Sequence, residues 1–112
     1  MRIIFKSFFD LILFFLGLRK TAIISGESML PYLKEGDIVF FKKYKHEKCS
    51  PKVGEIVIFQ NPLNNQREIK RIKKIEEICI EVLGDNLENS IDSRSFGLVQ
   101  KEKIIGIVTS KF

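Results

Sequence analysis

Histidine occurs once and cysteine twice in these 112 residues, and each scarcity removes a class of chemistry. A Ser-His-Asp triad needs a histidine held between a nucleophile and a carboxylate. His46 stands instead in the basic run KKYKHEK, residues 42–48, where no acidic partner can be identified, and the run reads as a solvated loop. Cys49 and Cys79 have no CxxC spacing and no histidine beside them. They read as small, partly buried side chains, not as a zinc site or a redox pair, and two cysteines alone do not define a disulfide. No metal or cofactor is expected.

Long apolar runs are missing too. Residues 3–18, IIFKSFFDLILFFLGL, are the most hydrophobic stretch, but Lys6 and Asp10 interrupt it and the clean run covers only residues 11–18. Sixteen helical residues span about 24 Å, short of the roughly 30 Å of a bilayer core. Lys6 and Asp10 are spaced i, i+4 and are placed to pair on a helix. Three readings stand: a short or tilted span, an in-plane amphipathic anchor, or a helix packed on the rest of the chain. No small-x-small cleavage motif precedes Arg19, which argues against a removable signal peptide. Two basic residues on each flank leave orientation open. Residues 1–20 are therefore expected to form a hydrophobic N-terminal anchor that makes the protein membrane-associated, with the side of the membrane undetermined.

Charge of one sign is also scarce outside that segment. Of the net +5, the first 24 residues carry +3 and the remaining 88 only +2. Basic flanks around an apolar segment suit contact with anionic lipid and give no footprint for nucleic acid. The length leaves no room for a second, cofactor-binding half.

What is present after Lys20 is a series of short β-branched runs cut by turn residues. Residues 21–25, 37–41, 55–60 and 104–109 read as strands, with punctuation at Gly36-Asp37, 51–54, 61–65 and 84–86. No long helical pattern separates them, so the fold class expected is mainly β, a small antiparallel barrel-like core preceded by a hydrophobic helix. Residues 68–80 are ambiguous. Ile69, Ile72, Ile75 and Ile78 recur every third position, nearer a helical period, but the β-branched content and missing cap favour a hairpin.

Three segments stand out for chemistry: Gly26-Glu27-Ser28-Met29-Leu30-Pro31, then Lys70-Arg71-Ile72, then Gly84-Asp85-Asn86 continuing through Asn89-Ser90-Ile91-Asp92-Ser93-Arg94-Ser95-Phe96-Gly97. In this order they resemble the signal peptidase I family of serine endopeptidases, over nearly everything from Ser25 to Thr109. The resemblance implies a catalytic domain over residues 21–112 with Ser28 as nucleophile and Lys70 as general base. It carries supporting roles to Asp85, Ser90, Asp92 and Arg94, with Gly26 and Met29 flanking the nucleophile. In bacterial members a serine of the third box hydrogen-bonds the lysine, and Ser90 is the matching position.

The chemistry requires these residue types. A hydroxyl becomes a good nucleophile only when a base takes its proton, and a lysine does so only when neutral. At a reference pKa of about 10.4, roughly one lysine in 2,500 is neutral at pH 7. Burial among apolar side chains raises that fraction. Ile69 and Ile72 flank Lys70, and Phe40, Phe41 and Phe59 are available to cover it. Arg71 cannot substitute as base; its charge is expected on a carboxylate such as Asp92. For the oxyanion, the Ser28 backbone N–H is the first donor. Some members add a serine hydroxyl two residues before the nucleophile, where this chain has Gly26, so a second donor must come from elsewhere.

Lys73-Lys74-Ile75-Glu76-Glu77 follows the second box where typical leader peptidases have a GLPGD-like turn, and there is no length for their extra β domain. This short form, with the ending SxDSRxFGxV, looks most like the maturation proteases of nickel-type superoxide dismutase. The partner then implied is a protein substrate with a flexible N-terminal extension, such as a nickel superoxide dismutase precursor. Two alternatives stand beside it: a general signal peptidase I acting on exported preproteins, and an inactive membrane-anchored interaction module.

Overall fold

The β-branched runs do become strands. The structure, a computed structural model, describes residues 2–45 and 50–112, with side chains for 8–45 and 50–112; His46 and Cys49 lie outside it, as does the Lys6 side chain. A helix, α1 (Arg2–Phe15), precedes β1 (Lys20–Ile23), β2 (Ile38–Lys43), β3 (Ile56–Gln60), β4 (Arg67–Ile75) and β5 (Cys79–Leu83). A single helical turn, α2 (Ser93–Phe96), leads into β6 (Val99–Gln100) and β7 (Ile104–Lys111). The strands form one antiparallel sheet in the order β1-β2-β7-β3-β4-β5-β6. Register shifts fall at Phe40/Phe41, Ile58/Phe59 and Ile72/Lys74. Each is a bulge that bends its strand and adds twist, and the sheet curls into a half-barrel. The mainly β, barrel-like expectation holds.

Two apolar clusters fill the curl. The larger gathers Val57, Phe59, Ile72, Ile80, Val82, Phe96 and Ile107, among others. The smaller joins Ile24, Met29, Leu33, Val39 and Ile56. Successive residues of β3 feed different clusters, Ile56 the smaller and Val57 the larger, as strand alternation requires.

The ambiguous stretch is a hairpin, β4 with β5. Its three-residue isoleucine period has a local cause. Ile72 is buried in the larger cluster and Ile75 packs against it, three positions apart, because the bulge between Ile72 and Lys74 resets the alternation. Ile69 packs on the smaller cluster, and Ile78 is exposed at the turn.

The loop expected over residues 42–48 begins later than the sequence suggests. β2 runs through Lys42 and Lys43 against β7, and Tyr44 is buried with its N–H donating to Ile105 O at 2.9 Å. The basic composition hid the fact that Tyr44 supplies core volume.

α1 lies against β2 and β7, with the Phe14 and Phe40 rings 6.3 Å apart. Its one acidic residue, Asp10, is 1% exposed. The carboxylate accepts from Arg19 Nε at 3.0 Å and from the Thr109 and Ser110 hydroxyls at 2.6 Å each. A buried carboxylate is tolerable only when paired and hydrogen-bonded, and here three donors meet that condition. Phe8, Phe9 and Phe15 of the helix are exposed, as are Leu16 and Leu18 just after it. No helix among the described residues is long and apolar enough to cross a membrane.

Candidate active site

Ser28 sits in the loop that leaves β1, and its position is fixed from beneath and behind. Beneath, Met29 and Leu33 are essentially fully buried in the smaller cluster, and Leu33 N–H donates to Met29 O at 3.0 Å. Met29 thus anchors the loop whose next residue back is the serine. Behind, the segment after β5 holds the loop's carbonyls: Asn86 N–H donates to Ser28 O at 2.8 Å, and Asn86 Nδ2 to Glu27 O at 3.1 Å. Gly26 starts the turn at φ +84°, a conformation that L side chains rarely adopt, and its N–H donates to Glu35 Oε1 at 3.3 Å.

Lys70 comes from the middle of β4, opposite Val57 of β3, and is 4% exposed. Its Nζ donates to Ser28 Oγ at 3.1 Å and approaches Glu68 Oε1 at 3.4 Å. The two residues singled out as nucleophile and base, 42 positions apart, are therefore in hydrogen-bond contact. A neutral amine at the same place would accept the serine proton along that line. Among the described residues nothing takes up the Ser28 backbone N–H, which leaves it free to donate to an oxyanion.

The third box folds around Asp92, which is fully buried. Its carboxylate accepts from Arg94 Nε and Nη2 at 2.9 and 3.0 Å, from Ser90 Oγ at 2.9 Å, and from Gly84 N–H at 3.0 Å. The Arg94 N–H adds a fifth contact at 3.2 Å, which also caps α2. Burial alone would push the carboxyl up. The Arg94 side chain, the Gly84 N–H, the Ser90 hydroxyl and the Arg94 N–H outweigh burial and hold it at about 2, below its ordinary 3.8.

Two expectations are corrected here. Arg71 does not pair with Asp92. Its guanidinium makes a two-pronged contact with Asp85, both distances 2.8 Å, and stacks over the Tyr32 ring at 5.5 Å. Strand alternation turns Arg71 to the face opposite Lys70, where Asp85 waits, whereas Asp92 is already committed to Arg94 nearby in sequence. The hydrogen bond that the guanidinium donates to Asp85 is the main reason it is held above its ordinary pKa. Nor does Ser90 bond the lysine, since its hydroxyl goes to Asp92. The polar neighbour of Lys70 other than Ser28 is Glu68.

Two contributors carried no expectation. Gly84 is pressed so closely against the site that an added Cβ would lie 2.1 Å from Ser90 Oγ and 2.6 Å from Ser28 O. Glu68, fixed by a hydrogen bond from the buried Asn61 side chain, lies two residues before Lys70. The spacing Glu-x-Lys within a strand put both on one face, and that signal was available in the sequence.

A cleft of about 230 Å³ opens beside the pair, lined by residues 22–25 from β1 onward, residues 67–70 of β4, Ile58 and Ser28 itself. Each strand wall is paired to the sheet on one side and has an open backbone edge on the other. β1 ends the sheet and pairs only with β2. Residues 67–70 pair with β3 on one side, and β5 joins only from Arg71 onward. Two free edges facing one gap accept an extended peptide as an added strand.

The chain matches the family model described as "Signal peptidase, peptidase S26" over residues 1–75 and 72–112. It is similar to "Signal peptidase I" of Leptolyngbya laminosa, 28% identical over 134 aligned positions that take in 80% of this chain and 66% of that protein. It is also similar to "Probable signal peptidase I-1" of Synechocystis sp., 26% identical over 134 positions, 80% of this chain and 68% of the relative. The chain thus spans about two thirds of the length of these curated relatives. With the model matched from end to end, this chain belongs to the signal peptidase S26 family.

Proposed function

We propose that this protein is a serine endopeptidase that removes an N-terminal leader or propeptide, with Ser28 as nucleophile and Lys70 as general base. The observation that carries the reading is the 3.1 Å contact between Lys70 Nζ and Ser28 Oγ in the lining of a peptide-sized cleft. In the reaction Lys70 takes the serine proton as Ser28 Oγ attacks the scissile carbonyl, and the Ser28 N–H donates to the oxyanion. The protonated lysine then gives its proton to the leaving amine, and water, activated by the neutral lysine, releases the acyl group. Met29 and Gly26 set the loop, while Asp85, Ser90, Asp92 and Arg94 brace the segment that clamps it.

The likeness to proteins named signal peptidase I supports the reading in which this chain acts on exported preproteins. A nickel superoxide dismutase precursor is the second substrate reading, favoured by the short interval from Arg71 to Gly84 and by the SxDSRxFGxV ending. We place the protein at a membrane surface through the exposed aromatic and leucine side chains of α1 and the residues after it, lying in the interface plane because Asp10 ties the helix to β7.

Ser28→Ala and Lys70→Arg are each expected to lower peptide cleavage about a thousandfold or more with melting behaviour retained. Appreciable turnover by purified Ser28→Ala protein would remove the assignment. Cleavage of a soluble dismutase precursor set against a membrane-inserted preprotein decides between the substrates.

A further inference from the structure

A general-base lysine has no use for an ion-pair partner, yet Lys70 has one. Glu68 Oε1 lies 3.4 Å from Nζ, and an amine serves as base through its lone pair, with no need of a carboxylate beside it. Glu68 is not there by chance of a flexible side chain, because Asn61 Nδ2 holds Oε2 while Asn61 Oδ1 is itself fixed by the Leu63 N–H. Asn61 is 4% exposed. When Lys70 is neutral, as catalysis requires, the carboxylate is left on the cleft wall without its cation. Among the residues lining the cleft the charged ones are Arg67, Glu68 and Lys70, and alternation turns Arg67 away from the Glu68 face.

We infer that Glu68 is a specificity-determining residue that takes a basic side chain of the substrate. Resting on the Ser28–Lys70 reading, the inference assigns the substrate class: leaders carrying lysine or arginine beside the scissile bond. A substrate cation takes the place of the Lys70 ammonium as the partner of Glu68, while Lys70 Nζ keeps its 3.1 Å contact with Ser28 Oγ. Glu68 lies two residues from Lys70 along β4, about 6.6 Å, which is the spacing of alternate side chains in an added strand. The cation therefore belongs within three residues of the scissile bond.

The test separates recognition from chemistry. Labelled peptides carry lysine or its neutral isostere norleucine at each of the three positions on either side of the cleavage site. Binding to full-length Ser28→Ala protein is followed by fluorescence anisotropy, and cleavage by the unaltered chain is measured separately. Lysine at one position is expected to tighten binding about tenfold over norleucine. The gain disappears in Ser28→Ala/Glu68→Gln and turns into a preference for glutamate in Ser28→Ala/Glu68→Lys. It also shrinks as salt rises, a reading that needs no change at position 68. Equal binding of lysine and norleucine peptides at every position, a preference insensitive to salt, or one that survives Glu68→Gln overturns the inference. Preferential binding without any cleavage instead condemns the Ser28–Lys70 dyad and leaves Glu68 standing.

Discussion

Replacing Gly84 by alanine adds one methyl group against the Ser28 carbonyl, and it should disable the proposed peptide cleavage. The new Cβ would sit 2.6 Å from the Ser28 carbonyl oxygen, where ordinary contact begins at 3.4 Å, so the carbonyl must retreat by about 0.8 Å. The Ser90 side chain blocks the other direction at 2.1 and 2.5 Å. Ser28 and Lys70 start 3.1 Å apart, and a retreat of that size takes them out of hydrogen-bond range. Misplacing a reacting group by about 1 Å costs on the order of a hundredfold in rate. Overpacking should lower stability by about 1–3 kcal/mol, which leaves most of the protein folded. The assay is kcat/KM on a leader peptide beside a urea denaturation curve. Gly84→Ala/Ser90→Gly removes the serine side chain but keeps the clash with the carbonyl, and it should stay inactive. Wild-type cleavage by Gly84→Ala, or full recovery in the double variant, would refute displacement of the nucleophile as the cause.

The Asp92 carboxyl is held at about 2 against an ordinary 3.8, so its contribution to stability is present above 3.8 and is lost as pH falls through about 2. Denaturation midpoints measured across that interval should fall more steeply for the unaltered chain than for Asp92→Asn, and parallel slopes would contradict the linkage. Asp10→Ala leaves the Arg19, Thr109 and Ser110 donors without their shared acceptor and should cost about 3 kcal/mol. Hydrogen exchange in residues 8–15 should rise with it, and unchanged protection there would mean that apolar packing alone docks α1.

All strands but β6 were legible in the sequence because their β-branched runs are local, and the Ser28–Lys70 pairing was legible because three boxes occur in order. What escaped was everything decided by distant partners. Asp10 looked like a blemish in an apolar segment, since Thr109 and Ser110 lie 99 and 100 positions away. Arg71 was given the wrong carboxylate because two acidic residues of one box, Asp85 and Asp92, cannot be told apart without knowing which face of β4 each meets. Ser90 was assigned to the lysine by resemblance, whereas the buried charge of Asp92 claims its hydroxyl. Tyr44 was lost in a basic run, and only the pairing of β2 with β7 reveals it as core.

The placement of β7 has a consequence for how the Ser28–Lys70 contact comes into being. Although seventh in sequence, it lies between β2 and β3, and it alone joins the strand order on the Ser28 side to the strands that carry Lys70. Its contacts close long loops: Phe40 meets Ser110 and Val57 meets Ile107. Such pairings are reached late, because chain entropy is lost before the contacts form. Without β7 the strand order would leave Ser28 and Lys70 on two separate pieces of sheet. The contact on which the proposed activity rests would then form only as the sheet is completed.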